Sequence, residues 1–236
     1  SRVRKDLNVY TYGIEDSKFN FYATNISYGN GLCIFDINTP FGTISEIKYR
    51  IGGRHNIENA VGATAVSMLN GATADEVRTG LENFIGVLRR FDIQLQTEKC
   101  VYIDDYAHHP GEISAFLSAV KQIYPQKKIT AIFQPHLYTR TRDLYKDFAE
   151  SLSQCDTLIL LPIYPAQELP IEGVTSSLIY DNCHAKEKYL CEKAELIELI
   201  GKLKPELLLT MGAGDIDRFV KPITNFLTEN ENKKSV

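Results

Sequence analysis

No stretch of this sequence approaches the roughly 18 consecutive apolar residues that a membrane-spanning helix needs. No secretory leader is expected from the opening residues. The chain opens SRVRKDLNVY, charged and then strand-like, and its first residue is not methionine, as expected of a fragment or a processed chain. Positive charge is scarce: 26 Lys and Arg stand against 30 Asp and Glu, a formal net charge of −4. No global basic field therefore recommends a nucleic acid as partner. Cys-x-x-Cys pairs are absent, and the five cysteines (Cys33, Cys100, Cys155, Cys183, Cys191) are an odd number. That usage argues for reduced thiols in a cytosol and against a disulfide frame. Cys183, His184 and Cys191 are sequence neighbours, but their spacing matches no zinc pattern.

What is present is periodicity of two kinds, in a chain of 236 residues that has room for one large domain or two modest ones. Residues 1–50 read as short strands, "VYTYGI", "FNFYATNISY", "GLCIFDIN" and "GTISEIKYRI", divided by Gly, Asn and Pro. Asn30-Gly31 suits a tight hairpin turn. Helical spacing begins at "GGRHNIENAVGATAVSMLNG", and "TADEVRTGLENF" reads as a second helix with Thr73 as N-cap. From about residue 95 short apolar strands alternate with helices, starting with "CVYIDDY" and "PGEISAFLSAVKQIY", where Pro110 occupies a first-turn position. The series runs to "ELLLTMGAG" and "DIDRFVKPITNFL", and the polar tail "TENENKKSV" reads as frayed. This rhythm predicts an α/β, doubly wound, Rossmann-like domain with a mostly parallel sheet over residues 94–236, preceded by a partial domain over 1–93.

In such a sheet ligands bind beyond the carboxyl ends of the strands, and the polar clusters fall there. "IDD" delivers Asp104, Asp105, Tyr106, His108 and His109; "FQP" delivers His136, Tyr138, Arg140 and Arg142. "LLPIYPAQE" delivers Tyr164 and Glu168, and "LLTMGAGD" a glycine-rich turn and Asp215. Four strand ends at one rim carry more weight than any single motif. Arg140 and Arg142 suit a carboxylate or phosphate, the more so because cations are disfavoured at a helix N-terminus without an anion. Asp104 and Asp105 suit ribose hydroxyls or a cation, and equally the positive end of a helix. Tyr106 suits stacking; His108 and His136 suit an anion or a proton, while His108-His109 before Pro110 also fits a structural turn. "GAGD" lacks the full GxGxxG and reads better as a tight turn than as a phosphate loop. In "GRHNIENA", Asn56 or Asn59 can read a nucleobase edge, or serve as cap and buried amide. Of Arg89 and Arg90 at the domain boundary, one can reach a phosphate; solvated charges are the other reading, and the preferred one for Arg89.

Taken together, "GRHNIENA", "GVLRRFD", "DDYAHHPGEI", "FQPHLYTRTRDL", "LPIYPAQELPIEGVTS" and "MGAGDI" resemble the Mur ligase family, in the family's order and over roughly residues 50–220. The resemblance implies an ATP- and Mg²⁺-dependent ligase of peptidoglycan synthesis. "DDYAHHP" with "QPHLYTRT" is most similar to the member that joins L-alanine to the carboxylate of UDP-N-acetylmuramate through an acyl phosphate. A member that adds a tripeptide shares the first motif but not the second, and a non-catalytic nucleotide-binding module is the reading outside enzymes. By the same resemblance Asn56 and Asn59 hold adenine, Arg90 a phosphate of ATP, and Asp105 the ribose side. Tyr106, His108, His136 and Arg140 form the amino-acid pocket, with Arg140 on the carboxylate. Two positions depart from the family: Leu137 stands where some relatives carry a second arginine, and Gly111 where Thr is common. The family's GxxGK[ST] loop occurs nowhere in the 236 residues. That loop, the Mg²⁺ ligands and the UDP-binding domain are expected in N-terminal domains of the same chain, and this stretch alone is expected to be inactive.

Overall fold

The computed structural model describes residues 6–29 and 31–232. Contacts group the chain into two compact units, Ser1–Gly86 with Gln122–Tyr124, and Val87–Lys121 with Pro125–Val236. The division falls after Gly86 rather than after residue 93, because the strand that follows belongs to the second sheet.

The first unit is a four-stranded sheet, β1 (Tyr12–Ile14), β2 (Phe21–Gly29), β3 (Leu32–Thr39) and β4 (Gly42–Tyr49), in that spatial order. β1 runs parallel to β2, and the other pairs are antiparallel. Gly29 pairs with Leu32 across β2 and β3; Asn30, in the predicted turn, lies outside the described residues. Strand periodicity puts Cys33, Phe35 and Ile37 of β3 on one buried face. Helix α1 (Arg54–Leu69) buries Ile57, Ala60, Val61, Thr64 and Ala65, the i, i+3, i+4, i+7, i+8 stripe of an amphipathic helix. Helix α2 (Ala74–Glu82) starts at a capping box: the Thr73 hydroxyl accepts from the Glu76 N–H, and the Glu76 carboxylate accepts from the Thr73 N–H.

The second unit is the α/β fold implied by the alternation. Its strands are β5 (Asp92–Gln96), β6 (Val101–Asp105), β7 (Ile129–Phe133), β8 (Thr157–Leu160), β9 (Glu187–Leu190) and β10 (Leu207–Met211). They lie in the order β5-β6-β10-β7-β8-β9, all parallel except β5, which pairs antiparallel with β6 at the edge. The helices are α3 (Pro110–Ile123), α4 (Tyr138–Leu152), α5 (Ser177–Asn182), α6 (Leu196–Leu203) and α7 (Val220–Asn232). One sheet face, with Tyr102, Ile132, Ile159 and Leu208, packs on Leu196 and Ile200 of α6 and on Val220, Ile223 and Leu227 of α7. On the other, Phe133 meets Phe148 of α4 at 5.4 Å, and the Ser151 hydroxyl ties α4 to the Pro110 carbonyl of α3. Each fully buried Ile, Leu or Phe in these layers is worth about 1.5–3 kcal/mol.

Two details differ from expectation. β9 was not anticipated, because a four-residue strand reading Glu-Lys-Tyr-Leu, half-exposed at the sheet edge, lacks the apolar run of its neighbours. The tail predicted to fray is helical as far as Asn232, where α7 ends; residues 233–236 lie outside the described ones. Among the described residues no helix is long and apolar enough to cross a membrane.

The chain leaves β6 for β7, continues outward to β9, and returns to fill the gap with β10. The strand order therefore reverses beside β6, and the carboxyl ends of β6, β10 and β7 surround the place where such sheets bind ligands.

Candidate functional site

The first strand end is organised from below by a buried polar chain. Asp104 is fully buried and accepts from the Thr210 hydroxyl at 2.5 Å and from Arg89 Nε at 3.1 Å; Thr210 also meets the Tyr102 hydroxyl at 3.0 Å. Burial pushes the Asp104 carboxyl above its ordinary range, while the Thr210 bond and the Arg89 charge pull it back. Arg89 thus corrects the sequence reading. Its side chain is only 20% exposed, and its second fork arm donates to the Gly212 carbonyl at 2.6 Å. Asp104 is consumed in this network, so neither a ribose nor a cation needs to be invoked for it.

Asp105 faces the turn before β5. Its two oxygens accept from the Phe91 and Ala107 N–H groups, both at 2.8 Å, and each oxygen keeps a second lone-pair direction. Burial pushes this carboxyl up to about 6, against those two bonds, which favour the charged form. The sign follows. A group whose folded value lies above its unfolded one contributes stability that is complete below about pH 4 and is lost as pH rises through about 6. In ¹⁵N-resolved titrations the Phe91 and Ala107 amides should move together with a midpoint near pH 6, and Asp105→Asn should abolish the transition. A midpoint near 4 would mean that the amide bonds fully offset burial. Arg90 is exposed, and its charge acts on the Asp105 carboxylate.

Beyond β6 the chain enters α3 through Tyr106, His108 and His109. Glu112, in the first turn of α3, accepts from the His108 and His109 N–H groups at 3.0 and 3.1 Å, and its carboxylate lies 3.2 Å from His108 Nδ1. Burial opposes ionisation of Glu112, but the His108 and His109 bonds and charges hold it below the ordinary glutamate value. His109 therefore serves the helix start. His108 instead turns inward, its ring 5.1 Å from that of Tyr106 and 6.4 Å from that of His136.

His136 follows β7 and stacks on Tyr164, which arrives from the loop after β8, with ring centroids 5.7 Å apart. The backbones zip together here: the Tyr164 N–H donates to the Pro135 carbonyl and the Leu137 N–H to the Tyr164 carbonyl. Leu137 takes φ 73, a conformation that side chains rarely adopt, to make the corner into α4. Glu168 holds the first turn of α4 by accepting from the Thr139 hydroxyl and from the Thr139 N–H. Those bonds keep Glu168 below the ordinary carboxylate range. Burial, then the Arg140 and His108 charges, lower His136, so its imidazole is neutral at pH 7.

Among the described residues three buried side-chain N or O atoms have no hydrogen-bond partner, and two of them are neighbours here: His136 Nδ1 and Arg140 Nη1. An unmade buried bond costs about 1–3 kcal/mol, more for a charged group. Two together at a strand end, one of them a guanidinium in a helix first turn, fit a planar anion such as a carboxylate. Arg142 is no part of this. It is exposed and forks onto its neighbour Asp143 at 2.7 and 3.2 Å.

The turn after β10 resolves as the tighter of its two readings. Gly212 and Gly214 press against Gln134, whose amide donates to Asp215 and accepts from the Ile216 N–H, and Asp215 pairs with Lys193 at 2.5 Å. Tyr138 lines a separate cavity of about 340 Å³ with residues from the ends of β8 and β9. In the first unit Asn56 and Asn59 stand one turn apart on α1. Asn56 donates to the Gly52 carbonyl at 2.7 Å, and Asn59 is exposed. Among the described residues no group of three or more His, Cys, Asp or Glu side chains is placed to hold a metal ion.

The site residues that sequence reasoning missed are Arg89, Thr139, Gln134 and Thr210. Arg89, Gln134 and Thr139 stood inside motifs that were singled out for their neighbours, and nothing local distinguished Arg89 from Arg90.

Residues 89–214 match the family described as "Mur ligase, glutamate ligase domain". The chain is 46% identical over 228 residues to a UDP-N-acetylmuramate–L-alanine ligase of Phocaeicola vulgatus, which spans 96% of this chain and 49% of that protein. It is 44% identical over 227 residues to the Porphyromonas gingivalis protein of the same name, with 96% and 50% covered. A solved UDP-N-acetylmuramate-alanine ligase from Thermotoga maritima superposes with a TM-score of 0.74 at 26% identity, over 95% of this chain and 48% of that one. The chain spans about half the length of the curated relatives it matches.

Proposed function

The chain belongs to the Mur ligase family, and from that premise we propose that the full-length protein joins L-alanine to UDP-N-acetylmuramate, with ATP as phosphoryl donor and Mg²⁺ as its counter-ion. The observation that carries this reading is the pair of unpartnered buried atoms, His136 Nδ1 and Arg140 Nη1, at the carboxyl edge of β7. A free amino acid brings a carboxylate of the right shape. Arg140 takes it on its fork, and neutral His136 adds a bond without adding a like charge. Tyr106 and His108 complete the rim on the β6 side, with the His108 ring 6.4 Å from that of His136. In this reading the amine of the held amino acid attacks an acyl phosphate on the muramyl carboxylate, a step that depends on positioning and on exclusion of water.

The first unit, up to Gly86, would then be the end of the central ATP-binding domain, and the second, from Val87, the amino-acid-binding domain. Asn56 and Asn59 would read adenine, Asn59 with its exposed amide and Asn56 with the oxygen left after its bond to Gly52. Arg90, exposed and beside Asp105, suits a phosphate; Asp105 would meet the ribose with its remaining lone pairs. Mg²⁺, when bound, screens the phosphate charge, and no residue described here is assigned to it. Five buried cysteines, none of them in a disulfide, support a reducing, cytoplasmic setting.

The test is phosphate release by the full-length protein with ATP, Mg²⁺ and UDP-N-acetylmuramate, across single amino acids and the tripeptide. Release that needs L-alanine supports the proposal. Release only with tripeptide moves the assignment to the tripeptide-adding relative. A folded full-length protein that releases no phosphate, whichever acceptor is supplied, would leave a non-catalytic nucleotide-binding module.

A further inference from the structure

Arg89 is held at its backbone and at its side chain. Its N–H donates to Asp92 at 3.1 Å, and its carbonyl accepts from the Tyr106 N–H at 2.7 Å. Its Nε meets Asp104 on β6, its Nη2 meets the Gly212 carbonyl beyond β10, and the face of its guanidinium lies 5.0 Å from the centre of the Tyr106 ring. The backbone pays no heed to ordinary preference, with φ 61 at Arg89 and φ 47 at Phe91. Such conformations persist where the surroundings over-determine them, and they concentrate at functional sites. The four-residue turn around Arg89 is closed by a bridge between Val87 and Arg90, which leaves the Arg90 side chain outside.

Tyr106 itself is 45% exposed. Its backbone N–H and ring are both steadied by Arg89, while His108 meets it with the ring edge and, through Nδ1, at the Tyr106 carbonyl, 3.0 Å away. A lysine at 89 would keep the charge opposite Asp104. It has neither a second arm for the Gly212 carbonyl nor a flat face for the ring.

We propose that Arg89 is a positioning residue for the amino-acid rim: it fixes where Tyr106 stands, and through the same turn where Arg90 points, without touching substrate itself. The proposal rests on the ligase reading for its kinetic consequence but not for its structural one.

The experiment compares wild type, Arg89→Lys, Tyr106→Ala and the double variant in the full-length protein. Arg89→Lys should melt close to wild type and raise KM for L-alanine about tenfold, the loss of one stacking and one hydrogen-bond contact, with kcat changed less than about twofold. In the Tyr106→Ala background the same substitution should add little, because the two act through one contact. An unchanged KM in Arg89→Lys, or an effect undiminished in the double variant, overturns the proposal. Amide hydrogen exchange separates this from failure of the ligase reading. In Arg89→Lys the Tyr106 N–H should exchange at least about ten times faster while Phe133, in the sheet core, is unaffected. Should wild type release no phosphate with any acceptor, the exchange result alone decides, and unaltered protection at Tyr106 rejects the positioning role.

Discussion

Arg140→Ala in the full-length protein is expected to lower kcat/KM for L-alanine by about a hundredfold or more, since truncating one partner of a buried, hydrogen-bonded charge pair costs about 2–5 kcal/mol. The same substitution should leave the melting temperature unchanged or raise it. Arg140 lies in the first turn of α4, where the helix dipole disfavours a cation, and its Nη1 is buried without a partner. No hydrogen-bond partner among the described residues satisfies that atom, so removing it relieves the fold and disables the site. Arg140→Lys separates charge from shape. A lysine supplies the charge but not the fork, and should recover only part of the loss. Initial-rate kinetics across alanine concentrations, alongside a thermal melt, checks both halves. Normal alanine kinetics in Arg140→Ala would remove Arg140 from the pocket; a large drop in melting temperature would mean that it has structural partners after all.

Much of this architecture was legible along the chain because it depends on short-range periodicity. Alternation in β3, the stripe on α1 and the Thr73–Glu76 box are all decided within a few residues. The parallel sheet followed from the strand–helix rhythm, and the rim followed from topology, since polar residues after parallel strands all arrive at one end. What stayed hidden depends on long-range pairing. Arg89 looks like Arg90 until Asp104, 15 positions on, and Gly212, 123 positions on, come to meet it. Asp104 looks like Asp105 until Thr210 claims it from 106 positions away. Arg142 looks like Arg140, yet two residues along a helix turn it by about 200°, out to solvent and to Asp143. β9 escaped notice for the complementary reason: as an edge strand it is only partly buried, so composition hardly marks it.

The largest stability effect is expected at Gly212. An alanine there would place its Cβ 2.7 Å from the Gln134 backbone carbonyl, at φ 141, where a side chain is already strained. The clash is with backbone, so no rotamer change relieves it; the end of β7 must shift. Overpacking and backbone strain together should cost about 3–5 kcal/mol, which for a chain of this size lowers the melting temperature by about 10 °C. Two other glycines isolate the contributions. Gly42→Ala has φ 129 but nothing within 4 Å, so it carries the strain alone and should cost about 1–3 kcal/mol. Gly111→Ala, in the first turn of α3 with open space and an ordinary φ, should be neutral or stabilising by up to about 1 kcal/mol. The order Gly212, Gly42, Gly111 in denaturant midpoints is therefore the measurement. Gly212 also lends its carbonyl to Arg89 and abuts the strand that leads to His136 and Arg140. Gly212→Ala should accordingly weaken alanine use even at temperatures where the variant remains folded. A Gly212→Ala protein as stable as Gly42→Ala would mean that β7 yields freely at its carboxyl end, and that the rim is less firmly held than these contacts require.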